Sequence, residues 1–390
     1  MKKLSVSICL MFISALSFSQ WTAINSGTAK DLNSVYFTSP DTGYIVGDTG
    51  LIFTTNNAGI NWTAQTSGTT SHLFSVCFTN ADSGYAVGDT GVILKTNNAG
   101  TNWTKQISGT TYRLNSVYFV NDSTGYAVGG NGTILKTFFG GTSWVPYHCG
   151  TTDWLNSVFF TEADTGYIVD DTGSVLNTTS GCASWTVQIN VSDVNLKSVF
   201  FINTDTGYAV GDGIIINTVN GGADWTAQLT GIPGILNSVY FVNADIGYAV
   251  GYNYDNGVGL IYTTINGGSN WVSQISGVSD PLTSVYFTNA NTGYAVGSSG
   301  TIIKTTDGGA GISELSVGNN NINIYPNPVS DYLQIQTALQ INKVELEDIT
   351  GKLLQVTSAK NIDCSYFANG IYLIKIFTKN AVAVKKFIKE

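Results

Sequence analysis

Residues able to do chemistry are scarce in this chain. It holds two histidines (His72 and His148), a single arginine (Arg113) and five cysteines. No Ser-His-Asp spacing, metal-ligand cluster or calcium loop with dense alternating acids can be assembled from them, so neither a metal nor a cofactor is expected. Asp170 and Asp171 are adjacent and could supply one arm of the carboxylate pair that glycoside hydrolysis requires; a widened turn explains the same dipeptide without catalysis. A more informative set is Asp31, His72, Arg113, Trp154, Asn195, Ile235 and Pro281, each directly before a leucine or its repeat equivalent, at intervals of about 41 residues. Charged, amide and aromatic side chains mixed at one recurrent position suit recognition by ion pair, hydrogen bond and stacking. An enlargement at Gly251 to Gly259 adds Tyr252, Asn253, Tyr254 and Asp255 to the candidates.

What must position these residues is a repeat. The stretch Leu73 to Trp103 reads LFSVCFTNADSGYAVGDTGVILKTNNAGTNW, and edited copies run from Trp21 to about Gly311. Gly-Tyr pairs begin at Gly43, Gly84, Gly125, Gly166, Gly207, Gly247 and Gly293, seven in all, and a fixed period of roughly 40 residues marks a repeat architecture. Each copy holds four short strand-like runs separated by Asn, Asp, Thr and Gly turn chemistry. Four antiparallel strands repeated seven times predict an all-β, seven-bladed β-propeller over residues 20–311.

Trp21 precedes the first leucine-opened copy, and the seventh copy lacks its tryptophan. Trp21 to Asn25 is therefore expected to supply the outer strand of the last blade and close the ring. An open β-solenoid would leave an unpaired edge and has no reason to split a repeat across its ends. The recurrent tryptophans (Trp62, Trp103, Trp144, Trp185, Trp225, Trp271 and the displaced Trp21) are expected to pack between blades, not to stack on sugars. Strand order places the Gly-Asp-Thr-Gly turns, the enlarged loop and the residues before each leucine on one face, around the mouth of the central channel. Trp154 is the one tryptophan outside the repeat register.

Composition supports strands and turns: 44 glycines and 11% charged residues in 390. Between Trp21 and Gly311, seven basic residues face nineteen acidic ones, which argues against nucleic acid and anionic membrane surfaces as partners. Residues 1–19 read as an export signal, with Lys2 and Lys3 ahead of a short apolar run and a cut expected before Gln20. That run is too short to span a bilayer comfortably, and no later stretch could. Cys77 stands where the other six copies have an aromatic, which predicts a small buried side chain. Cys149 and Cys182 are expected on opposite faces, too far apart for a disulfide.

The pattern Thr-x-Asn-x-Gly-x-x-Trp at Thr55 to Trp62, Thr96 to Trp103, Thr218 to Trp225 and Thr264 to Trp271 resembles the Asp-box of BNR propellers. Asn mostly replaces Asp here, and Asp307 is the retained acid. Together with LNSVYF and TGYAVG, the copies resemble photosystem II assembly-factor-like propeller repeats. The resemblance implies a fold, because the Asp-box is a structural turn in that family. Sialidases of the superfamily hold substrate carboxylate with an arginine cluster, and the photosystem factor carries an Arg-rich patch; one arginine reproduces neither. Some Asp-box propellers cleave glycans with paired Asp residues. A polysaccharide-active hydrolase is thus the alternative to the preferred reading, a binding module for a protein or glycan.

Residues 312–321 form a polar linker. Residues 322–390 alternate as strands joined by Gly turns and predict a small β-sandwich. Tyr325-Pro326-Asn327-Pro328, Gly351, Gly370 with Tyr372, and Lys385-Lys386 resemble, in order and spacing, the type A C-terminal sorting domain of the type IX (Por) secretion system. That resemblance implies the outer-membrane secretion machinery as a partner, removal of the domain, and a protein either released or attached to the cell surface.

Overall fold

A computed structural model describes residues 21–309, 322–337, 339–348, 353–378 and 382–390. The expected export signal, the linker and Gly351 lie outside the described residues. The chain divides into two units, one ending at Gly309 and one starting at Ala310.

In the first unit, the second repeat shows how the sequence makes a blade. Strands Leu73–Phe78, Gly84–Gly88, Ile93–Thr96 and Thr104–Gln106 pair antiparallel in chain order. The turn after Gly88 needs left-handed backbone at Thr90 (φ 55°) and Gly91 (φ 68°). A Cβ on Gly91 would meet the Thr110 carbonyl oxygen at 2.1 Å, so both conformation and space demand glycine there. The same four-stranded sheet recurs with inner strands Leu32–Phe37, Leu114–Phe119 and Leu155–Phe160.

The fifth and sixth repeats share one six-stranded sheet. Strand Thr226–Phe241 is the outer strand of one and the inner strand of the next. The shortened turn at Asp212 merges two strands into Gly207–Thr218, with Asp212 paired to Ile235 and Ile235 to Tyr252. The seventh sheet takes Leu282–Phe287, Gly293–Gly297 and Ile302–Thr305, then Thr22–Ile24 from the start of the chain. Thr22 lies opposite Lys304 and Ile24 opposite Ile302, as the split repeat required.

A ring of hydrogen bonds counts the blades. The hydroxyl of Ser34 accepts the N–H of Val76, Ser75 that of Val117, and Ser116 that of Val158. Ser157 accepts from Val199, Ser198 from Val239, Ser238 from Val285 and Ser284 from Val35, all at 3.3 Å. The seventh bond returns to the first inner strand, so seven blades close on themselves.

Aromatic packing repeats with the same period. Tyr44 stacks on Phe78 of the next blade at 4.0 Å and donates its hydroxyl to the Ala99 carbonyl; Tyr294 does the same to Phe37 (4.1 Å) and Ala58 across the closure. Trp103 meets Phe78 edge-on and donates its indole N–H to Gln65 of the preceding blade at 3.1 Å. The recurrent tryptophans are therefore interblade packing. The indole N–H groups of Trp62, Trp144 and Trp185 are buried without a hydrogen-bond partner. The residues matching Gln65 in their preceding blades are Ile24, Gln106 and Tyr147, and Gln106 turns its amide to Thr104. The four cysteines of the described residues are free thiols; Cys77, Cys182 and Cys364 are buried.

The second unit has its own core. A sheet of Asn323–Tyr325, Tyr332–Gln336 and Asn361–Asp363 and a four-stranded sheet containing Ile341–Asp348 and Gly370–Thr378 enclose Val329, Leu333, Val344, Leu346, Ile374 and Phe387. Among the expected motif residues, the Asn327 side-chain oxygen accepts the N–H of Ile388 at 2.8 Å. Tyr372 stacks between Phe367 and Phe387, Lys385 is buried, and Tyr325 is exposed.

Candidate ligand-binding mouth

Each inner strand begins on the face that carries the Asp-Thr-Gly turns, because its leading leucine pairs with the glycine ending the second strand, as Leu73 does with Gly88. The preceding residue is held by its own carbonyl, which accepts the N–H of the turn residue in the same blade. Asp48 donates to Asp31, Asp89 to His72, Gly130 to Arg113, Asp171 to Trp154 and Asp212 to Asn195, at 2.9–3.1 Å. Asp31, His72, Arg113, Trp154 and Asn195 thus occupy successive stations around the channel mouth.

Their side chains reach across blade boundaries. Asp31 accepts the N–H of Ser299 in the last blade at 2.9 Å. His72 Nδ1 lies 2.7 Å from Asp48 Oδ1. Arg113 Nε is 4.0 Å from Asp89 Oδ1, and its guanidinium lies 3.4 Å from the Phe74 ring centre and 5.9 Å from that of Trp154. The Trp154 side of the mouth opens over Gly130, where four other blades carry aspartate, and Trp154 is left 46% exposed. Asn195 accepts from Asn156 Nδ2 at 2.8 Å.

One position deeper in the channel, a clasp repeats. Asn33, Asn115, Asn156 and Asn237 donate to the leucine carbonyl that opens the next blade (Leu73, Leu155, Leu196 and Leu282), and Thr283 donates to Leu32. Phe74 and Lys197 break this column. Phe74 is the surface on which Arg113 lies. Lys197 has neither a hydrogen bond nor an ion pair among the described residues. Burial lowers its pKa, Asp212 and Asp171 oppose that, and Arg113 lowers it further. Arg113 is likewise lowered by burial, against the pull of Asp89 and Asp48. Sequence reasoning missed Phe74 and Lys197; the signal was a column reading Asn, Phe, Asn, Asn, Lys, Asn, Thr.

Tyr252, Tyr254 and Asp255 form a separate set. They sit at the tip of the hairpin between Gly247–Asn253 and Val258–Thr264. Tyr252 and Tyr254 meet edge to face at 5.4 Å, Tyr254 is 68% exposed, and the Asp255 N–H donates to Asn253 Oδ1. Among the described residues no hydrogen bond, ion pair or ring contact joins them to Arg113 and Trp154. Asp170 is buried and accepts from the N–H groups of Thr172 and Ser174 and from the Thr172 hydroxyl. Asp171 accepts the N–H of Trp154. Both carboxylates brace a turn.

The far end of the channel is collared by aromatics. Tyr118, Phe159, Phe200, Tyr240, Tyr286 and Tyr36 follow one another at 4.8–5.3 Å, and Cys77 fills the remaining station. Burial pushes the hydroxyl pKa values of Tyr36 and Tyr240 far up, so this end presents uncharged rings. The polar, charged end is the mouth.

A family model for the photosynthesis system II assembly factor YCF48 matches residues 13–111 and 147–282, more than half of the chain. This chain belongs to the YCF48 family. A second model, for the secretion system C-terminal sorting domain, matches residues 323–390. Among solved structures, one described as YCF48 bound to D1 peptide is 17% identical, covering 75% of this chain and 98% of its own, with TM-score 0.62. YCF48 from Cyanidioschyzon merolae is 19% identical over 73% and 98% (TM-score 0.60). A GH74 enzyme from Niastella koreensis is 14% identical over 94% and 74% (TM-score 0.62). At such identities the likeness shows the propeller fold alone. No curated protein sequence matches this chain. A YCF48-family propeller with a sorting tail is a secreted or cell-surface protein. Among the described residues no helix is long and apolar enough to cross a membrane.

Proposed function

We propose that this YCF48-family propeller is an exported binding module whose ligand, a protein or a glycan, docks at the channel mouth. Asp31, His72, Arg113, Trp154 and Asn195 line it, and the Tyr252–Asp255 hairpin offers a second contact on the same face. The observation supporting this is Trp154: a large ring left 46% exposed beside the chain's only arginine, while the recurrent tryptophans are consumed in blade packing. The solved YCF48 described as bound to a D1 peptide is a precedent for ligand binding by this fold. The tail hands the chain to the type IX machinery, which releases it or leaves it on the surface.

The test is a combined glycan and peptide array probed with the purified full chain, its Trp154→Ala variant and its Tyr254→Ala variant. A ligand whose binding falls at least tenfold in Trp154→Ala supports the mouth. Ligands retained equally by both variants would refute it. The fold likeness to a GH74 enzyme favours polysaccharide hydrolysis as a second reading. Release of reducing sugar by the wild type, abolished in Asp171→Asn, would establish that reading instead.

A further inference from the structure

We propose that the mouth takes the acidic end of a glycan, a uronate residue stacked on Trp154 with its carboxylate held between Arg113 and Lys197. This rests on the binding reading above and names its ligand class.

Two cations lie in this sector of the ring, and the side chain of neither makes a hydrogen bond among the described residues. A guanidinium carries five donors in a planar fork. None of those of Arg113 makes a hydrogen bond among the described residues, and its Nε is buried without a partner. Its nearest acid contact is the 4.0 Å approach to Asp89. The Lys197 ammonium stands in a clasp position where most other blades place a neutral amide, and among the described residues it makes neither a hydrogen bond nor an ion pair. Arg113 precedes inner strand Leu114–Phe119 and Lys197 lies in Leu196–Phe201, the two inner strands that flank Leu155–Phe160, which Trp154 precedes. Both side chains are only partly buried, and partly desolvated charges that lack hydrogen bonds are suited to an anionic acceptor; a ligand carboxylate placed between them offers both the bonds they lack. Asp48, Asp89, Asp171 and Asp212 flank the pair, and Asp48 is already engaged by His72 and Asp171 by the Trp154 N–H.

The rest of the geometry selects the kind of anion. The N–H groups of Asp48, Asp89, Gly130, Asp171, Asp212 and Ser298 all donate back into their own blades, so the rim offers no strand edge to a peptide backbone. What it offers is side chains: one flat exposed ring next to two cations. A pyranose bearing a carboxylate matches both, one face on the indole and the acid on the fork. Nineteen acidic against seven basic residues in the propeller repel a densely charged chain, so a carboxylated sugar of low charge density is favoured over a sulfated polyanion.

The experiment is calorimetric titration of the full chain with trigalacturonate, its methyl ester, a heparin hexasaccharide, and a tripeptide with either a free or an amidated C-terminus. Trigalacturonate is expected to bind, with affinity falling as salt rises, and the ester and heparin at least tenfold more weakly. Lys197→Asn and Arg113→Gln should each weaken trigalacturonate at least tenfold, and Ile265→Ser on the opposite face should not. Lys197→Asn should melt no lower than wild type, because Asn restores the clasp, here onto the Leu236 carbonyl; lost binding is then not lost folding. No binding of trigalacturonate, equal binding of its ester, or wild-type affinity in Lys197→Asn overturns the inference. A neutral glycan or a free-carboxylate peptide bound in its place, and lost in Trp154→Ala, overturns it while leaving the mouth intact as a binding site.

Discussion

Phe139 breaks a structural rule that the other blades obey. In the first blade, Asn57 Oδ1 accepts the Asn61 N–H (3.0 Å) and the Thr55 hydroxyl (2.9 Å), capping the Asp-box turn from within. The matching bonds are made by Asn98, Asn220 and Asn266. The Phe139 side chain can make neither; its own N–H and that of Gly141 still donate to the Thr137 hydroxyl, and its ring stands 71% exposed beside Phe138. Phe139→Asn is expected to raise unfolding free energy by about 1 kcal/mol, the worth of a restored cap; a urea midpoint at or below wild type would contradict this. Lys197 makes a second residue-scale prediction, through pH. Its folded pKa is lowered by burial, with Asp212 and Asp171 opposing and Arg113 adding to the shift. Below that folded value the chain bears the full penalty of a desolvated charge. The penalty fades as pH rises through the folded pKa toward the unfolded value near 10.4. The stability advantage of Lys197→Asn over wild type should therefore narrow on raising pH from 7 to above 10. An advantage constant across that range would mean the charge is not the cause.

At the scale of elements, ring closure by the first strand carries the sharpest expectation. Trp21 is 1% exposed, packs edge-on against Phe287 and donates to Gln274, while Thr22–Ile24 supplies the last blade's outer edge. Trp21→Ala should cost about 3–5 kcal/mol, and deleting Trp21 to Asn25 should lower the melting temperature further by exposing an unpaired edge. An unchanged melting curve for the deletion would show that the ring does not depend on this strand. This closure was legible because it follows from counting: seven Gly-Tyr pairs, and one tryptophan missing at the end and present at the start. The joined fifth and sixth blades were not. The residue lost near Asp212 reads as a shortened turn, whereas its consequence, Asp212 paired to Ile235 and Ile235 to Tyr252, is hydrogen bonding between repeats that no single repeat encodes. The mouth was half legible for a related reason. Variation before the leading leucine pointed to Arg113 and Trp154. Phe74 and Lys197 pass as ordinary strand residues until the Asn clasp they displace is seen. For Asp170 and Asp171 the sequence leaves a catalytic carboxylate and a widened turn both open, because it does not show that one oxygen of each already accepts backbone N–H groups.

At the scale of the whole molecule, the two units have separate cores, one strung around the propeller and one confined to residues 322–390. Removing the second should therefore leave the first folded, and its effect should fall on delivery. The sorting motif is tied to the end of the chain: Asn327 accepts the Ile388 N–H, Val329 donates to Ile388, and Glu390 donates to Val329. The last residues thus seal the strand that pairs with Gly370–Thr378. Two deletions follow, both made in a host that possesses type IX machinery. Loss of residues 325–390 should leave the propeller's melting transition within a few degrees of wild type while the protein accumulates in the periplasm. Loss of residues 388–390 alone should do the same, because it removes the partners of Asn327 and Val329 and with them the fold that the machinery must recognise. If either truncated chain reaches the medium or the cell surface at normal yield, the second unit is not the export signal. If instead the propeller itself melts early without residues 325–390, the units are not independent and the delivery assay must be reread as a folding defect.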